Sequence, residues 1–221
     1  MVKVLIINYN RLLLPQSMAD WLVERNCEPI FIDNASDYPP LLEYYWKMPY
    51  KLIRMSKNYG HTVLWQRPDI FEKCGVKEDF IMTDPDLDLS NIPDDFVEVL
   101  KEGLKVNNIQ KCGFSLEITD LPKNEYTEEV IKIESSYWQH FFFLSNRKYF
   151  IAGIDTTFAL HRWPLPDYNC VNALRTDRPY TAKHVPWYYT SWDELPEDEK
   201  YYFQTANNSS SGLKRLTNNL S

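Results

Sequence analysis

The stretch FIMTDPDLDLSNIPDD, Phe80 to Asp95, sets three carboxylates, Asp84, Asp86 and Asp88, at alternate positions directly behind an apolar run. In an extended chain residues i, i+2 and i+4 share a side, so the three can converge while Leu87 and Leu89 turn inward. Pro85 fixes its own φ and removes a backbone donor between the first two. Close like charges repel unless a cation lies between them, and a hard divalent ion with oxygen ligands, Mg²⁺ or Mn²⁺, resolves the conflict most simply. A calcium loop opens with the same spacing, but here the sixth position is Leu89 where glycine makes the turn, and the twelfth is Asp95 where glutamate is needed. Asp94 and Asp95 read as helix or turn caps, and Asp88 leans the same way, which leaves Asp84 and Asp86 as candidate metal ligands.

The surrounding elements place these carboxylates. Val2 to Asn8 reads as a strand, PQSMADWLVERN as a helix and EPIFIDN as a second strand. PPLLEYYWKM opens a helix at its prolines, YKLIRM is a third strand, TVLWQRPDIFEKCG is a helix interrupted by Pro68, and DFIMTD is the fourth strand. This alternation predicts an α/β fold with a parallel sheet and a site beyond the strands' carboxyl ends, at Asn8, Asp33 and Asp84. DDFVEVLKEGLKV reads as an amphipathic helix and KCGFSLEI as a strand. From Ser135 the pattern turns irregular and aromatic, as expected of α+β material completing a pocket.

The 221 residues fit one large domain, expected over 1–206, with a polar Ser/Asn-rich tail or linker at 207–221. A net charge of -7 argues against a nucleic-acid partner, because neutralising phosphates takes clustered Lys and Arg. Only six glycines are present, and the first turn has neither G-x-G-x-x-G nor a P-loop, which excludes both glycine-rich phosphate cradles. Four widely spaced cysteines signal neither zinc nor a disulfide scaffold, and Val4 to Ile7 is too short for a signal core or a membrane span. Reduced thiols in a cytoplasm are the expectation. Aromatics at 15% supply flat faces that suit sugar or base stacking as well as a core.

TDPDLDL after an apolar strand resembles the D-x-D motif of GT-A-fold glycosyltransferases, of the family-2 type, and other stretches resemble the same family. The resemblance implies a single GT-A-like domain with a mixed central sheet, a Rossmann-like nucleotide-binding half over 1–90 and an acceptor-side half over 91–206. Asp84 and Asp86 would bind Mn²⁺ or Mg²⁺, with Asp84 also serving the ribose or diphosphate of a UDP-sugar. IINYNR matches the family's opening, where Tyr9 would stack on uracil beside Asn8. FIDNASD places Asp33 where an acid accepts from the base N3–H. RMSKNYGH supplies Arg54, Asn58 and Gly60 near the nucleotide, or alternatively a surface charge and a turn.

AGIDTTFALHR resembles the segment of inverting members that carries the general base and then an arginine, here Asp155 and Arg162. Ile154 stands where that family usually has an acid, and Asp155 could instead cap a turn. AKHVPWYY looks like the late histidine that completes the metal site, which makes His184 the third ligand; His61, His140 and His161 read as structural. Arg54, or else Arg175 or Arg178, would contact the phosphates. The chain is similar to the compact glycosyltransferase domain of large algal (chlorella) viruses. That narrower likeness implies UDP-rhamnose or UDP-glucose as donor, a glycan or glycoprotein acceptor, a host-cytoplasmic setting and further domains C-terminal to the tail. A retaining transferase, or a module that binds nucleotide-sugars without turnover, are the alternatives.

Overall fold

The computed structural model describes residues 1–168 and 172–206, so Cys170 and the tail 207–221 lie outside the described residues. In chain order the first half consists of β1 (Val2–Asn8), α1 (Leu13–Glu24), β2 (Cys27–Asp33), α2 (Pro39–Lys47), β3 (Lys51–Arg54), α3 (Val63–Gln66), α4 (Asp69–Cys74) and β4 (Phe80–Thr83). The second half adds β5 (Leu87–Asp88), α5 (Phe96–Leu104), β6 (Lys111–Gly113), β7 (Ser115–Leu116), α6 (Glu125–Ser135), β8 (Phe141–Leu144), β9 (Arg147–Ile151), β10 (Ala159–His161), β11 (Ala173–Thr176), β12 (Thr181–His184) and α7 (Glu197–Thr205).

The fold is α/β, built on a mixed sheet of nine strands in the order β3-β2-β1-β4-β10-β6-β11-β9-β8. β3, β2, β1 and β4 run parallel, as the strand–helix alternation predicts. The antiparallel β10 pairs with β4 on one side and β6 on the other, so strands of the second half extend the sheet of the first. β5, β12 and β7 form a smaller sheet. Among the described residues no helix is long and apolar enough to cross a membrane.

Unbroken apolar runs in β1 and β2 follow from burial on both faces. Val4, Ile6 and Phe31 pack with Met18 and Leu22 of α1, Leu41 of α2 and Phe96 of α5. Leu5, Ile7, Ile30 and Ile32 pack on the opposite face with Val63 and Leu64 of α3 and Ile70 and Phe71 of α4. Pro68 divides the predicted third helical stretch into α3 and α4, since a proline there removes an amide donor. The expected strand KCGFSLEI is likewise split, β6 entering the large sheet and β7 the small one, with the buried Phe114 at the crossing.

His161 lies fully buried at the end of β10, stacked on Phe80 with ring centroids 5.8 Å apart, and neither ring nitrogen has a hydrogen-bond partner. Burial, aided by nearby Lys111, lowers its pKa from 6.5 to about 3. Between those values the unfolded chain binds a proton that the folded chain refuses, so stability must fall as pH drops below about 6.5. His161→Phe keeps the stack and removes the titration. Its melting temperature should decline less than wild type between pH 7.5 and 5, and parallel declines would contradict this account of the ring.

Candidate functional site

The carboxyl ends of β1 and β4 and the segment before β10 open into a cleft of about 830 Å³. Its lining includes Asn8, Tyr9, Asn58, Asp84, Asp86, Asp155 and His184, which the sequence places far apart. Asp84 directly follows β4 and is half-buried, while Asp86 is 6% exposed. Leu87 and Leu89 turn into the core, as the alternation requires. Asp88 does not join the pair: its Oδ1 accepts from the Ser90 amide at 2.8 Å, the local capping role.

β12 brings His184 to the pair through its antiparallel register with β5, where His184 lies opposite Leu87. His184 Nε2 stands 3.4 Å from Asp86 Oδ2, and the ring leans on Trp187 with centroids 4.6 Å apart. Arg11, which the sequence reading passed over, donates from Nη1 to the same Asp86 oxygen at 2.9 Å. The Arg11 side chain is held by two bonds to Glu199 of α7, at 2.7 and 3.2 Å, and lies 3.7 Å over the ring of Tyr202. Burial works against the charge on Arg11, but Glu199 and Asp86 outweigh it and hold the guanidinium protonated.

The two aspartates are driven apart in acidity. Burial would raise Asp86, but His184 and Arg11 overcome it and push its pKa well below the usual carboxylate range. Asp84 makes no ion pair with an arginine; burial first and the charge of Asp86 second raise it to about 7, against a hydrogen bond from Thr156 and a smaller effect of His184. Below about pH 7 Asp84 thus favours its neutral form until a cation offsets the repulsion.

Mg²⁺ and Mn²⁺ need only one or two protein carboxylates, because water and substrate phosphates fill the remaining positions. Asp86 Oδ1 and His184 Nδ1 are buried with no hydrogen-bond partner, beside a carboxyl strained by like charge, and this donor set fits a hard dication. Among the described residues no group of three His, Cys, Asp or Glu forms a ready-made metal cage.

Linkage gives Asp84 a measurable consequence. Its folded pKa lies above the unfolded value of 3.8, so metal-free protein loses stability as pH rises from there through about 7. Asp84→Asn keeps an acceptor for Thr156 and removes the repulsion. In chelator, the variant should be more stable than wild type by about 1–2 kcal/mol at pH 8, an amount discounted for water in the cleft, and equal to it near pH 4. A variant less stable at pH 8 would contradict the assigned repulsion.

No protein-family model matches the chain, and comparison with the curated proteins finds no match.

The other expected residues divide into those that reach the cleft and those that do not. Asn8 is fully buried at the end of β1, its amide donating to the Arg11 carbonyl and to Tyr45 Oη while its Oδ1 lacks a partner. Tyr9 donates from its hydroxyl to the Thr205 carbonyl at 3.3 Å and meets Tyr202 edge-on. Asn58 accepts the Gly60 amide at 2.7 Å, and Gly60 turns at φ +71°, a conformation that suits glycine. Asn34, also in the lining, pins this loop from below through bonds to Gly60 and Tyr59.

Asp33 and Arg54 are not part of the lining. Asp33 is fully buried and accepts from Tyr45, the Ser36 amide and Arg54 Nε, all at 3.1 to 3.2 Å. Arg54 also donates to the Ser36 carbonyl, so the two residues brace the turn after β2. Arg162 turns away: β10 runs antiparallel, which sends its far end to the opposite edge, where Arg162 donates to the carbonyls of Ile109 and Leu104. Arg178 is held by Glu117 outside the cleft.

Asp155 is exposed within the cleft, and Tyr168 donates to its Oδ1 at 3.3 Å. The next residue ties it to the carboxylate pair. Thr156 donates from Oγ1 to Asp84 Oδ2 at 2.9 Å and accepts the Asp84 amide at 3.1 Å. Asp155 is therefore fixed relative to Asp84 by a short double link and remains accessible. α7 closes the other end, where Asp198 Oδ2 accepts the amides of Leu12 and Leu13 at 2.8 Å and so satisfies donors at the start of α1. Arg11, Thr156, Glu199 and Glu134 are the lining or supporting residues that sequence reasoning missed; only the NYNR run carried a local signal for any of them.

Proposed function

We propose that the chain is a metal-dependent glycosyltransferase of GT-A type, which moves a sugar from a UDP-sugar to an acceptor hydroxyl. The observation that carries this reading is that Asp84, Asp86 and His184 line one cleft beyond β4, with Asp86 Oδ1 and His184 Nδ1 left unpartnered. Such a cleft, about 830 Å³ and set beyond the carboxyl ends of parallel strands, has the volume and position of a nucleotide-sugar site.

In this reading Asp84, Asp86 and His184 would hold Mn²⁺ or Mg²⁺, which would supply charge neutralisation for the departing diphosphate. Arg11 keeps Asp86 ionised and immobile. Asn8 offers its Oδ1 and Tyr9 its ring to the uracil, and Asn58 with Gly60 shapes the adjoining turn. Asp33 and Arg54 act one layer behind, holding the turn that follows β2. Asp155 takes the proton of the acceptor hydroxyl as that oxygen attacks the anomeric carbon and UDP leaves, an inverting displacement. Its exposure leaves room for the acceptor, and the Thr156 link fixes its distance from the cation site. UDP-rhamnose and UDP-glucose are the first donors to try, with glycan or glycoprotein acceptors.

The test is UDP release from a panel of UDP-sugars with Mn²⁺, Mg²⁺ and chelator, with and without sugar acceptors. Metal-dependent release from at least one donor is expected. UDP binding without any release, across the panel, would favour a non-catalytic binding module, and absence of both would overturn the reading.

A further inference from the structure

A second ion pair lies in the same cleft. Glu134, in the last turn of α6, is 8% exposed and accepts from Arg175 Nη1 on β11 at 2.9 Å. Arg175 Nε donates to the Gly153 carbonyl at 2.8 Å, and its guanidinium lies 4.2 Å over the ring of Tyr137. With Nε and Nη1 committed in this way, Arg175 has its charge offset by Glu134 and is poorly placed to serve phosphates. Glu134 and Arg175 both line the cleft, yet Glu134 uses only Oε2 for the pair, leaving Oε1 without a protein donor among the described residues.

The pair lies in the same cleft as the two functional ends. Gly153 precedes Asp155 by two residues, so Arg175 grips the segment that carries the proposed base. His184 of the cation site lines the same cleft as Glu134 and Arg175. A group transferred from a diphosphate at one end to a hydroxyl at the other must pass between them. A fixed carboxylate with a free oxygen in that cleft suits the hydroxyls of a neutral ring, since a carboxylate accepts two hydroxyl donors with little loss of order when it is already oriented. Buried polar groups set up for one hydroxyl pattern are left unpaired by another, which is how such a site discriminates.

We propose that Glu134, oriented by Arg175, is a specificity-determining residue that accepts hydrogen bonds from ring hydroxyls of the transferred sugar. The inference rests on the nucleotide-sugar reading of the cleft and deepens it by naming the residue that selects the sugar. Burial raises the affinity of Glu134 for its proton, and Arg175 opposes this.

The test measures UDP affinity by calorimetry with Mn²⁺, and KM and kcat for the active UDP-sugars, in wild type, Glu134→Gln and the apolar double variant Glu134→Leu/Arg175→Leu. The double variant guards against a failure to fold, because replacing both partners of a buried pair by apolar groups is often neutral or stabilising. UDP affinity should stay within about twofold, while KM for the best donor rises about 10- to 100-fold and the preference among donors differing at a ring hydroxyl collapses. Unchanged donor KM and preference in a folded variant would overturn the inference alone, as would equal losses for UDP and UDP-sugar. Wild-type protein that binds no UDP with Mn²⁺ would overturn the underlying reading and this inference with it.

Discussion

Asp86→Ala should abolish Mn²⁺-dependent UDP binding and lower transfer by about 10³-fold, the scale on which a preorganised charge-stabilising group matters in a dry site. The same variant should also lose stability, by roughly 1–3 kcal/mol, because Arg11 at 4% exposure keeps only Glu199 as a charged partner. This is the opposite of the expected gain in Asp84→Asn. Two carboxylates separated by one proline thus differ in sign on stability, and agree in sign on binding. The difference arises because Arg11 and His184 both face Asp86, whereas Asp84 faces Thr156 and a like charge. Chemical denaturation of both variants in chelator, followed by titration with UDP and Mn²⁺, checks the pair of statements together. An Asp86→Ala protein as stable as wild type, or one that still binds UDP through Mn²⁺, would break the link between the two roles.

Asp155→Asn should lower kcat by about 10²- to 10⁴-fold, the range of a positioned general base, while leaving UDP and Mn²⁺ affinity within about twofold. Asp155 is exposed and its protein donor is the Tyr168 hydroxyl at 3.3 Å, so the change costs the fold little. Steady-state kinetics alongside UDP calorimetry separates the effects. Anomeric NMR of the product adds an independent check: inversion agrees with a base at Asp155, and retention would remove that role even if the variant were slow.

The strands, their parallel order in the first half and the residues at their ends were readable from apolar runs and their punctuation, because burial on both faces leaves a continuous signal. Asn8, Asp84 and Asp86 were readable for the same reason, as polar residues where a buried run stops. Asp33 stops a run as well, but a strand's last carboxylate can turn toward the ligand or toward its own loop. Tyr45 and Arg54, whose geometry no local pattern reports, turn it to the loop. Arg162 follows Asp155 closely in sequence, yet the antiparallel β10 carries the two to opposite edges of the sheet, and strand direction is a tertiary property. Arg11 and Glu134 were hidden because their meaning lies in partners far along the chain. Arg11 needs Glu199 on α7, and Glu134 needs Arg175 on β11; neither spacing is local.

The most direct test of the cation site is a crystal soaked in MnCl₂ and UDP, with anomalous data collected at the manganese edge. A single anomalous peak within bonding distance of Asp84, Asp86 and His184, bridging to the diphosphate, is the predicted result. An empty cleft, or manganese bound elsewhere with Asp86 still facing only Arg11 and His184, would contradict it.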